Sequence, residues 1–445
     1  MADEIVSQIQ LPDISPSQFD ITDFGAVADD GQDDRPAILA AIAEAAGPGG
    51  GRVILPPGGW YSSGPIALQS HVEFHVSGGA TLLFSPHAAD YLPVVRTRWE
   101  GTMMMGYSPL IYAAGVEDVA ITGEGVIDGN ANSEFLSWSR GSHNSIRRVA
   151  DVLRLRQMGK DGVPVESRVF GKGAYLRPSA IEFLDARRVL LEDYTIRNSP
   201  FWVNHLVFTR NATVRRVNVD SHHANNDGID VDSSSYVLIE LNHIRAGDDS
   251  VAIKSGRDRD GRDIAIPSEY VVVRHNDTRG GSGIAIGSEM SGGVRFVFFD
   301  NNDLHHGSSA VRFKASLDRG GIVEHIRVRN LKVGTFDTLF WFQLVRGDET
   351  DSRFPSTYRD IVFEEVNADR VGQVMVVNAP PAAPLCDVTM RDVRVGGAAR
   401  TFDLENIEGL KLDNVTIGGQ RIDGALGWRS TNGNQDFIDG NCIVR

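Results

Sequence analysis

Residues 236–244, YVLIELNHI, are followed by YVVVRHND at residues 270–277 and FVFFDNND at residues 296–303. Each run alternates apolar and polar residues with the period of two that belongs to a β-strand, and each carries Asn or Asp nearby. The pattern spreads both ways. VLLEDYTI (residues 189–196) and ATVRRVNV (residues 212–219) precede it; HIRVRNLKV (residues 325–333), DIVFEEVNA (residues 360–368), DVTMRDVRV (residues 387–395) and GLKLDNVTI (residues 409–417) follow. Anchored on Leu191, Val214, Ile239, Val273, Phe299, Val328, Phe363, Met390 and Leu412, the runs step by 23, 25, 34, 26, 29, 35, 27 and 22 residues. Steps of that size predict one turn of a β-solenoid per repeat, each turn burying its apolar face on the next. A propeller blade needs about 40–45 residues, and alternating β/α folds need a helix in every step, which is not there. The reading is an all-β, right-handed parallel β-helix, a single domain over residues 1–445.

Two regions leave the repeat. DDRPAILAAIAEAA (residues 33–46) has apolar residues at helical spacing behind an Asp and Pro start, so a short helix is expected there. A solenoid end exposes unpaired strands, and a helix is a suitable cap for it. Residues 130–172, which include the basic stretch SHNSIRRVADVLRLRQMGK, are off register. They predict a long inserted loop with some helix, overhanging one face.

With 445 residues, 41% hydrophobic and 23% charged, the composition is that of a globular protein with ample material for a core. A net charge of −15 argues against a nucleic-acid partner, although local Lys and Arg clusters can still bind an acidic ligand. No window has the apolar length of a membrane span, so no membrane partner is expected. The start, MADEIVSQIQLPD, lacks the basic and apolar regions of a signal peptide, so the chain is either cytoplasmic or a form from which a signal has been removed. Two cysteines, Cys386 and Cys442, are too few for a disulfide framework or a zinc site; one bridge or two thiols are both open.

Residues 225–256, NNDGIDVDSSSYVLIELNHIRAGDDSVAIKSG, concentrate Asp227, Asp230, Asp232, Asp248 and Asp249 around a β-branched run. Asp227 and Asp249 are 22 residues apart, close to one coil, and residues one coil apart stack roughly 4.8 Å from each other. Asp227, Asp248 and Asp249 are therefore expected on one face. Three uses compete. One carboxylic acid can protonate a glycosidic oxygen while a carboxylate directs water at the anomeric carbon, and crowding keeps one of them protonated. Oxygen-rich clusters also bind calcium. Asp and Asn in NNDG and AGDD could instead simply shape turns.

The chain resembles glycoside hydrolase family 28, the polygalacturonase family, over most of its length. FGAVADDGQDD with GGGRVILPPGGWYSSGPIAL resembles the entry segment; RWEG, YSPLIYA, ITGEGVIDG and LRPSAIEF with NSPFW resemble the middle. The Asn-Thr-Asp motif is met by Asn225-Asn226-Asp227, Gly-Asp-Asp by Gly247-Asp248-Asp249, and Arg-Ile-Lys by Arg312-Phe313-Lys314. The resemblance implies inversion of configuration, with Asp248 as general acid and Asp227 and Asp249 holding and activating the water. It implies that Arg312 and Lys314 grip a sugar carboxylate, with Asn225 and Lys254 as further substrate-binding candidates. AIKSG and IGSEMSGGV are similar to exo-acting bacterial members, and the insertion at residues 130–172 could block one end of the cleft. Aligned on IGSEMSGG, the family's Gly-His-Gly reads as residues 280–283, Gly-Gly-Ser-Gly, placing Gly281 at the His position; members acting on rhamnogalacturonan are similar in lacking that His. His222 and His223 could supply an imidazole or be turn neighbours.

The expected function is thus an inverting, exo-acting glycoside hydrolase on a pectin-type acidic polysaccharide or oligosaccharide, galacturonan or rhamnogalacturonan. No cofactor and no metal are expected, and the place of work is outside the cytoplasm, secreted or periplasmic. A calcium-dependent polysaccharide lyase and a non-catalytic carbohydrate-binding β-helix are the alternatives.

Overall fold

The nine anchor residues of the repeat stand one above another. In the computed structural model, which describes residues 1–139, 141–142, 144–347, 352–431 and 434–437, Leu191 pairs in parallel register with Val214, Val214 with Ile239, and Ile239 with Val273. Val273 pairs with Phe299, Phe299 with Val328, and Val328 with Phe363. Phe363 pairs with Met390 and Met390 with Leu412. The column continues towards the N-terminus through Ile121, Phe74, Val53 and Phe19. The chain is the right-handed parallel β-helix that the repeat predicts. All nine anchors are buried along its axis, each contributing roughly 1.5–3 kcal/mol of apolar transfer.

The Asn residues of the repeat have a structural use. Asn242 Nδ2 donates to Asn276 Oδ1 at 2.9 Å, and Asn276 Nδ2 to Asn302 Oδ1 at 2.9 Å. Each of the three also donates to a carbonyl of a neighbouring coil or strand. Buried amides without such partners would be costly, so the stack selects Asn at that corner.

Both solenoid edges are covered. Helix α2 (Arg35–Ala45) lies on the first coils with Ile38, Ala41 and Ile42 fully buried, and Pro36 stands in its first turn. At the other end the strand Gln420–Thr431 runs antiparallel on Ile407–Ile417 and ends the parallel stacking. Helix α1 (Ala2–Gln8), which the sequence reading did not anticipate, buries Ala2 and Ile5 against Leu238, Val272 and Phe298 on the outer face. Cys442 lies outside the described residues.

Residues 130–172 form more helix than loop: α3 (Ser133–Leu136) and the 17-residue α4 (Ser145–Asp161). They are joined on the same flank by an antiparallel hairpin, Val95–Trp99 with Thr102–Gly106, that was not foreseen. Trp99 and Met104 of the hairpin, Val152 and Leu155 of α4, and Phe201 and Trp202 of the solenoid pack as one cluster. This flap lies over part of a sheet face. Beneath it Glu182, His205 and Asp230 are register partners on successive coils, and all are at most 1% exposed.

Candidate active site

Asp227 precedes the strand Ile229–Asp232, and Asp249 opens the strand Asp249–Lys254. Ile229 pairs with Val251, so Asp227 and Asp249 stand one coil apart. Two glycines allow coils to approach this closely. A Cβ at Gly228 would lie 2.6 Å from the Ser250 carbonyl oxygen, and one at Gly247 would overlap the backbone of His222 and His223. Turn shaping and site building are divided between neighbours. Asn226 is the turn residue: its Oδ1 accepts from His223 N–H at 2.9 Å and its Nδ2 donates to the Phe201 carbonyl at 2.8 Å. Asn225 Oδ1 accepts from Arg177 Nη2 at 2.8 Å. The Asp227 carboxylate makes no such turn contact; its Oδ2 accepts from Lys254 Nζ at 3.2 Å.

The other motif residues converge on the same place. Ile284 pairs with Val311, which brings Arg312 and Lys314 to the face that carries Asp249. Lys314 Nζ donates to Asp249 Oδ2, while Asp249 Oδ1 is buried without a protein donor among the described residues. Arg312 lies 4.2 Å over the Trp341 ring and donates to Gln343 Oε1 at 2.5 Å. Lys254 faces inward carboxylates: besides Asp227 it lies 3.4 Å from Asp230 and 3.4 Å from Glu289, with the Trp202 ring 4.2 Å away. His222 pairs with Asp220 at 2.7 Å, and neither it nor His223 lines the cleft.

These groups surround a cleft of about 660 Å³ whose lining carries seven Lys or Arg side chains against four Asp or Glu. On a chain of net charge −15 this is a local reversal of sign, and it favours an anionic ligand. The carboxyls are not equivalent. Burial, then the neighbouring Asp249, push Asp248 up from its ordinary value. Burial would raise Asp249 too, but Lys314 and then Lys254 outweigh it and hold that carboxylate low. Burial drives Asp227 well up against the pull of Lys254, and drives Asp230 up to about 7. Glu289 is held well below the usual range because Lys254 and Arg257 outweigh its burial. One acid kept protonated beside one carboxylate kept ionised is the arrangement that bond hydrolysis by acid and base requires.

Sequence reading did not single out Glu289, Arg257, Trp202, Glu100, Arg148 or Arg156, all of which line the cleft. Glu289 lies in the quoted IGSEMSGG and the two arginines in the quoted basic stretch, but no short-range pattern marks them as cleft residues. Under the flap, His205 sits 3.1 Å from Glu182 and 3.5 Å from Asp232, and Arg98 lies 3.0 Å from Asp232. Burial lowers His205, yet hydrogen bonds to Asp232 and Glu182 raise it to about 9, so it is a charged part of the floor. Among the described residues, the grouping His71, Glu117 and Asp118 has metal-ligand geometry, but it does not line the cleft, and Asp118 is taken by Arg188 Nε at 2.6 Å.

The structure corrects the placing of the family's His on Gly281. Gly281 has φ +54°, and a Cβ there would overlap the Asp248 carbonyl oxygen; a Cβ at Gly283 would lie 2.5 Å from that of Ala310. Both positions admit only glycine, so the side chain between two glycines belongs to Ser282, the register partner of Asp249. The departure from Gly-His-Gly is a Ser at the centre, not a Gly. We expect Gly281→Ala to displace the Asp248 backbone and to lower kcat at least 10²-fold; unchanged kcat in a folded variant would show that the loop absorbs the methyl group.

A parallel β-helix whose cleft gathers three aspartates, one raised and one lowered, is a glycoside hydrolase. Sequence comparison agrees: residues 170–432 match glycosyl hydrolases family 28, and the chain belongs to that family. A hyperthermoactive exopolygalacturonase from Thermotoga maritima has the same structure with a TM-score of 0.91 and 36% identity, covering 98% of this chain and 99% of that one. A probable polygalacturonase of Vitis vinifera is 28% identical over 85% of this chain and 74% of that protein. An exo-poly-alpha-D-galacturonosidase of Dickeya chrysanthemi is 26% identical over 71% of this chain and 55% of that protein.

Proposed function

We propose that the protein hydrolyses galacturonan from a chain end with inversion of configuration. The observation that carries this reading is a cationic cleft, walled at one end by the flap, around an aspartate pair of opposed proton affinity. Asp248, which faces the cleft, gives its proton to the glycosidic oxygen as the bond to the anomeric carbon breaks. Asp249, ionised beside Lys314, accepts a proton from the water that bonds to that carbon from the other side, and Asp227 orients the water. Solvent then restores the proton to Asp248 and removes it from Asp249. Arg312 is the carboxylate-binding residue on the leaving-group side, its planar fork braced by Trp341 and Gln343. Lys314 has its main duty with Asp249. Lys254 balances buried charge under Asp227, and Asn225 shapes the wall.

The flap supports chain-end action. An internal cut needs a groove open past both sides of the reacting carboxyls. Here the coils before Asp227 present Glu182 and His205, and both are roofed by the hairpin and Trp202. Such a substrate lies outside the cytoplasm, which makes the protein a secreted or periplasmic one.

Product analysis on galacturonan and rhamnogalacturonan oligosaccharides, with and without chelator, tests the reading. Single galacturonate units of inverted anomeric configuration, released from the first minutes and insensitive to chelator, are expected from galacturonan. Early internal fragments would overturn chain-end action, a rhamnogalacturonan preference would overturn the substrate, and products one water lighter would mean a lyase.

A further inference from the structure

Helix α4 turns one stripe to the cleft: Arg148, Val149, Val152, Leu153 and Arg156 all line it. Arg148 Nη2 donates to Glu100 Oε1 at 3.4 Å and Arg156 Nη2 to Glu100 Oε2 at 3.2 Å. Glu100 sits in the hairpin turn, and the neighbouring Trp99 ring lies 5.7 Å from the Arg148 guanidinium. Arg257, 3.9 Å from Glu100, is paired more closely with Glu289 at 3.1 Å. Two guanidinium groups of α4 thus share one carboxylate, each by a single hydrogen bond, where arginine can give a carboxylate two in parallel. Their side chains are only 12% and 25% exposed, and the Nε–H of each is buried without an acceptor among the described residues. One positive charge and several donors remain unanswered at the walled end. Between the two arginines, Val149 and Leu153 offer an apolar strip, 47% and 54% exposed.

This arrangement lies across the cleft from Arg312, with the aspartates between. We infer that Arg148 and Arg156 bind the carboxylate of the terminal uronate, the sugar about to be released, while Val149 and Leu153 pack on its ring. The inference rests on the chain-end reading and deepens it. The walled end then selects a charged sugar as well as stopping the chain, so a neutral or esterified terminal sugar is a poor substrate.

The test compares two galacturonan oligosaccharides of equal length, one with a free acid and one with a methyl ester on the non-reducing terminal residue. The wild-type enzyme is expected to favour the free-acid end by about 10- to 100-fold in kcat/KM, the size of a lost charged hydrogen-bond pair. In Arg148→Gln/Arg156→Gln the preference falls to within about twofold, and turnover of the ester-ended substrate changes little. A fall of equal size on both substrates, or a preference that persists, overturns the inference. If the double variant does not fold, Arg156→Gln alone must reduce the preference severalfold, and an unreduced preference is equally fatal. Product size separates the two levels: internal fragments from wild-type enzyme overturn the chain-end reading and this inference with it, whereas single-unit release with no end preference overturns the inference alone.

Discussion

Asp248→Asn will lower kcat on galacturonan by about 10³- to 10⁴-fold, at the upper end of what a general acid contributes. The loss follows from one proton. Asp248 is the half-buried carboxyl at the cleft surface whose affinity for a proton is raised by burial and by Asp249, and an amide cannot deliver that proton to a leaving sugar. Two further readouts tie the loss to that role. A substrate with an acidic phenol as leaving group needs little protonation, so Asp248→Asn should lose far less on it than on galacturonan. Asp249→Asn, which removes the base, should lose activity on both alike. The alkaline limb of the wild-type pH profile belongs to Asp248: a general acid must be protonated, so the rate falls as pH rises through its raised value. That limb should vanish in Asp248→Asn. Equal losses on the two substrates would remove Asp248 from the acid role.

The fold was legible because its evidence is local and repeated. Each anchor from Leu191 to Leu412 lies inside a run whose alternation can be read alone, and register follows from stacking like on like. The cap at Arg35–Ala45 was legible for the same reason, a helical period behind a proline. The hairpin Val95–Gly106 was not. Its strands, VRTRW and TMMMG, belong to a small separate sheet with Val169–Phe170, and no repeat partner announces them. The aspartate triad was legible from coil spacing, since Asp227 and Asp249 needed only one stacking step to meet.

What was missed depends on that hairpin. Glu182 and His205 occupy outward positions on their strands, between the inward Ile181, Phe183 and Leu206. A sequence reader assigns such residues to solvent. They are buried because Thr97 and Arg98, over 80 residues earlier, cover them: Thr97 Oγ1 donates to Glu182 Oε1 at 2.7 Å. Glu100 acquires its partners Arg148 and Arg156 in the same non-local way. The Gly281 reading failed by one residue because glycines align with glycines; only the close approach of Asp248 tells which of them has no room for a side chain.

The second large effect is on stability. Lys254 Nζ stands within 3.4 Å of Asp227, Asp230 and Glu289, all at most 4% exposed. Lys254→Met keeps most of the side-chain volume and removes the charge, leaving three buried carboxyls with one cation fewer. Breaking a buried ion pair from one side costs about 3–5 kcal/mol, and the cost here should depend on pH in a direction that identifies its cause. Asp230 is already raised by burial from 3.8 to about 7, with Lys254 the main opposing influence. Without Lys254 both Asp230 and Asp227 move higher still. A carboxyl raised in the folded state favours folding below its unfolded value, and that advantage is lost as pH rises towards the folded value. The stability deficit of Lys254→Met against wild type should therefore be modest near pH 4, where the carboxyls can be protonated, and should grow steadily to pH 8. Denaturant midpoints at those two pH values measure it. A deficit that stays constant with pH would mean that lost packing on Trp202 destabilises the variant, and that the charge of Lys254 does not hold the floor of the site together.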